Sequence, residues 1–124
     1  MKILKVEILR NNIFKEDLKD INRNFSEKSD LKNSKILITG CAGFLGFYFM
    51  HYFALYSKEL GIKKIIGLDN FIINKPNWLE KLSKNKELPL EIITFDISSD
   101  DLNNLKNISD VDYILHMASI ASPT

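Results

Sequence analysis

The sequence predicts an α/β protein, built as a partial doubly wound parallel sheet of about four strands in the order 3-2-1-4 with an N-terminal helical arm. Three observations predict it. Apolar runs of strand length recur around residues 35–39, 63–70, 88–95 and 111–118, and helix-length segments separate them. Glycines stand at positions 40, 43 and 46, directly after the first run. Acidic residues, Asp69 and Asp96, close the second and third runs. Strands that alternate with helices require right-handed crossovers and hence a parallel sheet.

Residues 1–34 read as an arm and linker, and residues 35–124 as a dinucleotide-binding domain that is incomplete at its C-terminus. In the arm, Leu4, Val6 and Ile8 alternate as a strand would, whereas Phe14, Leu18, Ile21 and Phe25 fall at helical spacing with Asn12 as a cap. The spacing predicts a helix from about residue 13 to 25, followed by a polar linker over residues 26–34. Packing on the domain, mediating assembly and standing solvated are all open to such an arm.

The first strand, Lys35-Ile36-Leu37-Ile38-Thr39, meets Gly40, where the chain must reverse into a helix. Gly43 leaves bare backbone for a pyrophosphate, and Gly46 lets the helix lie close to the strand. The helix start offers unpaired N–H groups and the positive end of its dipole to phosphates. Three other readings compete. The uncharged run over residues 36–57 is long enough for a membrane span, but mid-run glycines and His51, Tyr48, Tyr52 and Tyr56 oppose that. A nucleoside-triphosphate loop needs Lys-Ser or Lys-Thr after its last glycine, and Phe47-Tyr48 stands there. A plain turn with a close helix contact is the third.

Gly61 is placed to end the first helix. The second strand ends on Asp69-Asn70, and Asp69 lies 23 positions beyond Gly46, close to the offset of about 20 residues at which a carboxylate meets the adenosine ribose. A carboxylate there repels a 2′-phosphate, and neither Asn70 nor Phe71 supplies a cation, so NAD is expected over NADP. Asp69 closing a strand, with no ligand, is the alternative. Pro76 suits a first helical position, with Trp78, Leu79 and Leu82 on the buried face. Ser98 or Ser99 can cap a short helix through Leu105. The last apolar run reads as a fourth buried strand. The order 3-2-1-4 then lines up Gly40, Asp69, Asp96 and Ala118 along one rim.

Composition narrows the classes. A formal net charge of +1 gives no electrostatic case for nucleic acid or for an acidic membrane surface. The single cysteine, Cys41, rules out an intramolecular disulfide. It reads as a small residue tolerated in the glycine turn. With no signal peptide at Met1-Lys2-Ile3 the cytoplasm is the expected compartment.

Four motifs in order resemble the extended short-chain dehydrogenase/reductase superfamily of nucleotide-sugar epimerases, dehydratases and decarboxylases, whose cofactor domain is a Rossmann sheet. They are Thr-Gly-x-x-Gly-x-x-Gly at residues 39–46, Asp69-Asn70, Asp96-Ile97 and His116-Met117-Ala118. The resemblance implies NAD held by Gly40, Gly43, Phe44, Leu45 and Gly46 at the pyrophosphate and by Asp69 and Asn70 at the ribose. It also puts Asp96 on the adenine amino group and Ile97 against the ring, with Ala118 and Ser119 along the channel. His116 would be a buried structural histidine. Ala118-Ser119-Ile120-Ala121-Ser122-Pro123 and Asn70-Phe71 look most like UDP-glucuronate decarboxylases, and the arm looks like extensions on proteins of bacterial surface-polysaccharide clusters. In that family a tyrosine and a lysine four positions later carry the proton transfer. No tyrosine here has that lysine, so the catalytic pair and the sugar-binding lobe are expected beyond Thr124. The partners implied are a nucleotide sugar for the full-length enzyme and a second copy or a complementing chain at the apolar edge of the fourth strand.

Overall fold

The computed structural model describes residues 2–72, 74–106 and 108–118, with side chains from Asn12 onward. Helix α1 (Lys2–Asn24) is followed by β1 (Lys35–Thr39), α2 (Phe44–Leu55), α3 (Ser57–Leu60), β2 (Lys64–Asp69), α4 (Asn77–Lys84), β3 (Leu90–Thr94) and β4 (Tyr113–His116). The strands form one parallel sheet in the order β3-β2-β1-β4, as the sequence predicts. Thr39 stands level with Leu68 on one side and His116 on the other, and Asp69 stands level with Thr94. The carboxyl ends of all four strands therefore share a rim.

Successive side chains of a strand point to opposite faces, so the apolar runs serve two cores. Ile36, Ile38 and Ile65 face Met50, Tyr52 and Phe53 of α2 and Leu79 of α4. Leu37, Ile66 and Leu68 face the other way and pack with Phe95. The uncharged run read as a possible span is divided between β1, the glycine turn and α2. Among the described residues no helix is long and apolar enough to cross a membrane.

Five local expectations are corrected. The alternation at Leu4, Val6 and Ile8 lies inside α1, with Asn12 in the helix interior instead of capping it. Residues 4 and 8 also repeat at helical spacing, and a lone strand with no neighbour to pair with has no stable form. Residues 26–34 are no free linker, since they hold a 3-10 turn at Lys28–Leu31 with Leu31 and Ser34 buried. The helix expected to run unbroken to Leu60 is interrupted at Tyr56, and Gly61 then ends α3 with φ 70°. Pro76 is the N-cap of α4. Finally, Ser98 is bound to Asp96 and so cannot cap; a 3-10 turn at Leu102–Asn104 is capped by Asp101, whose Oδ1 accepts from Asn103 N at 3.0 Å.

The arm packs on the domain. Leu18 is only 2% exposed, Phe14 sits 4.9 Å from the Phe47 ring, and Tyr52 Oη donates to Asn22 Oδ1 at 2.8 Å. β4 was expected to be buried, yet Tyr113 is 40% and Ile114 62% exposed. It is an edge strand, with no neighbour beyond it among the described residues.

Candidate functional site

The glycine turn stands at the centre of the rim. Gly40 adopts φ 67°, a left-handed conformation that glycine takes without strain, and a Cβ there would lie 2.6 Å from Ala118 N. The position is thus closed to side chains by the chain leaving β4 as well as by the turn. At Gly46 a Cβ would lie 2.3 Å from the Cys41 carbonyl oxygen, so the missing side chain lets α2 sit down on the turn. Gly43 differs: its Cβ would meet only Gly40 O, at 3.3 Å, and the space beyond is open.

Gly43 is also the N-cap of α2, and it brings no side-chain oxygen to the first-turn N–H groups. Those groups have no intrahelical acceptor either. Phe44, 80% exposed, and Leu45 flank this open helix start. The result is a bare-backbone concavity with unpaired donors and a helix dipole behind it, which suits an anion.

Asp69 is drawn against this turn. Its Oδ2 accepts from Ala42 N at 3.0 Å and its Oδ1 from Phe71 N at 2.9 Å, and Cys41 N donates to Leu68 O at 3.2 Å. The carboxylate therefore pins the glycine turn to the tip of β2. Asn70 is exposed, and its Oδ1 accepts from Ile72 N at 3.1 Å. Phe71 has φ 55°, an uncommon value for a residue with a side chain. One cation was missed in the sequence: Lys75 Nζ lies 5.6 Å from the Phe71 ring centre and 3.4 Å from Glu80 Oε1. Only the loop conformation brings it back over Phe71, although the Lys75-Glu80 spacing could have suggested the ion pair.

The third strand's end joins the same rim, since Phe95 N donates to Asp69 O at 2.8 Å. Asp96 Oδ1 accepts from Ser98 N and Ser98 Oγ at 3.0 and 2.6 Å. These bonds hold the Asp96 carboxyl below the usual carboxylate range, as an acceptor. Ile97 beside it is 43% exposed.

At β4, Met117 N donates to both Thr39 O and Thr39 Oγ1, Ala118 N reaches Thr39 Oγ1 at 3.2 Å, and His116 Nδ1 lies 2.8 Å from the same hydroxyl. His116, expected to be buried, is exposed because β4 is the edge, and its ring is tied to the buried Thr39. Sequence reasoning had given Thr39 no role beyond opening a motif. Ser119 lies outside the described residues. Cys41 is buried beneath the turn, and burial, with Asp69 nearby, pushes its thiol up to about 12. It is no nucleophile. No group of acidic, histidine or cysteine side chains able to hold a metal ion occurs among the described residues.

The structure thus gathers the glycine turn, Asp69, Asn70, Asp96, Ile97 and Ala118 around the carboxyl ends of the strands, where doubly wound sheets take their ligands. The model of the NAD dependent epimerase/dehydratase family matches residues 36–124. A search of curated proteins and of solved structures found no match to the chain.

Proposed function

The chain belongs to the NAD dependent epimerase/dehydratase family, and from that premise we propose that it is the NAD-binding, amino-terminal part of an enzyme acting on a nucleotide sugar. The observation that carries the reading is the bond from Ala42 N to Asp69 Oδ2, which sets a bare-backbone concavity beside a carboxylate. The residues fit a dinucleotide: the open face of Gly43 is a cradle that a Cβ would fill. Gly40, Gly43 and Gly46 shape the pyrophosphate seat, while the N–H groups of Phe44 and Leu45 donate into it. Asp69 accepts from the ribose hydroxyls, with Asn70 beside it. Asp96 accepts from the adenine amino group, Ile97 packs on the ring, and Ala118 lines the channel.

When bound, NAD accepts a hydride and returns it. Asn70-Phe71 and the sequence of residues 118–123 resemble a UDP-glucuronate decarboxylase, in which C4 of the sugar would be oxidised and the C5 carboxylate, then β to a ketone, would leave as carbon dioxide. The tyrosine and lysine of proton transfer are absent from these 124 residues, so cofactor binding is the activity assigned to them. Calorimetric titration of the chain with NAD and NADP tests the reading. NAD is expected to bind more tightly, because Asp69 repels a 2′-phosphate and Glu80 occupies Lys75. Equal or reversed affinities would overturn the choice of cofactor.

A second reading is favoured by the exposure of Ile114, which makes the chain an assembly module whose sheet is completed by a second copy or a complementing chain. Size-exclusion chromatography with and without NAD separates the two, since association alone would shift with concentration and be indifferent to the cofactor.

A further inference from the structure

Thr39 Oγ1 lies at the end of β1 among three neighbours. Met117 N donates to it at 3.0 Å and Ala118 N at 3.2 Å, while His116 Nδ1 stands 2.8 Å away. A hydroxyl has two lone pairs and one hydrogen. Both lone pairs face backbone donors, so the hydrogen goes to His116, whose Nδ1 is the acceptor and whose proton sits on Nε2.

We propose that His116 is a positioning residue that sets the rotation of the Thr39 hydroxyl, and through it the seat of Ala118 on the rim. Without an acceptor at Nδ1 the hydroxyl hydrogen has no fixed direction, and rotation turns it toward the two N–H groups it should receive. Ala118 N would then lose its only acceptor in the clamp, whereas Met117 N keeps Thr39 O at 3.1 Å. The seat is tight, because Ala118 N lies only 2.6 Å from where a Cβ of Gly40 would be. A small loosening of residue 118 therefore changes the wall that the glycine turn faces. The effect on ligand rests on the cofactor reading above; the clamp itself does not.

His116 is exposed, so replacing it leaves the core intact. The test uses the ¹⁵N-labelled full chain and the variants His116→Leu and His116→Asn, with imidazole nitrogen shifts, amide exchange and NAD titration. Nδ1 is expected to be the unprotonated nitrogen. In His116→Leu, Ala118 N–H should exchange about fivefold faster, the effect of one ordinary hydrogen bond, with a smaller change at Met117 and a similar loss in NAD affinity. His116→Asn, whose side-chain oxygen stands near the position of Nδ1, should restore both. A protonated Nδ1, an unchanged Ala118 exchange in His116→Leu, or an Asn variant no better than Leu would overturn the proposal. If the wild type fails to bind NAD, the cofactor reading falls, and the shifts and exchange still decide the clamp.

Discussion

Gly40, Gly43 and Gly46 share one motif but meet three different steric demands. Gly46→Ala forces a Cβ to 2.3 Å from a backbone oxygen and should cost about 3 kcal/mol in urea unfolding. Gly43→Ala has only a mild contact to relieve, so it should keep near-native stability and still lose NAD affinity by filling the cradle. A Gly43→Ala chain that binds like wild type would move the pyrophosphate elsewhere. Cys41 gives a pH signature. Its thiol is held at about 12 against 9.0 for the free group, so between those values the unfolded chain loses a proton that the folded chain keeps. Stability is then full below pH 9 and falls as pH rises, by up to about 1.4 kcal/mol per unit. Unfolding at pH 8 and pH 10 should show that drop reduced in Cys41→Ala. Asp69 was legible from spacing alone, because a strand followed by a carboxylate at that offset is a local pattern. Thr39 and Lys75 were not: the partners of Thr39 lie on β4, and the place of Lys75 over Phe71 depends on a loop's backbone.

Helix α1 shows where periodicity misleads. Leu4, Val6 and Ile8 satisfy a two-residue repeat, but Leu4 and Ile8 also satisfy a helical one, and tertiary context chooses. Phe14, Leu18, Ile21 and Phe25 were readable as one face, and they are the residues that pack against α2 or beside it. Tyr52→Phe removes only the bond to Asn22 and should cost about 1 kcal/mol. Leu18→Ala should cost about 3 kcal/mol by opening a cavity between α1 and α2. If both substitutions are neutral in chemical denaturation, the arm contributes nothing to the domain. The break at Tyr56 escaped the sequence because no glycine or proline marks it; it occurs where Ser57 turns its hydroxyl back to Ala54 O at 2.8 Å.

Sheet order was legible because alternating elements and right-handed crossovers leave few arrangements. The exposure of β4 was foreseen only as an apolar edge. Beside that edge a groove of about 510 Å³ runs between α1, α2 and β4, lined by Phe25, Phe49, Phe53 and Ile114. It lies away from the rim, so this groove and the chemistry do not coincide. The rim depends on contacts that converge on one residue: Ala42 N of the turn after β1 and Phe71 N beyond β2 bond to the Asp69 carboxylate, and Phe95 N after β3 bonds to its main-chain carbonyl. Calorimetric titration of wild type and Asp69→Ala with NAD, with folding checked by circular dichroism, tests that convergence most directly. The account predicts a folded variant whose affinity falls at least about tenfold, the loss expected for hydrogen bonds to a charged group; a folded variant that binds NAD as tightly as wild type would contradict it.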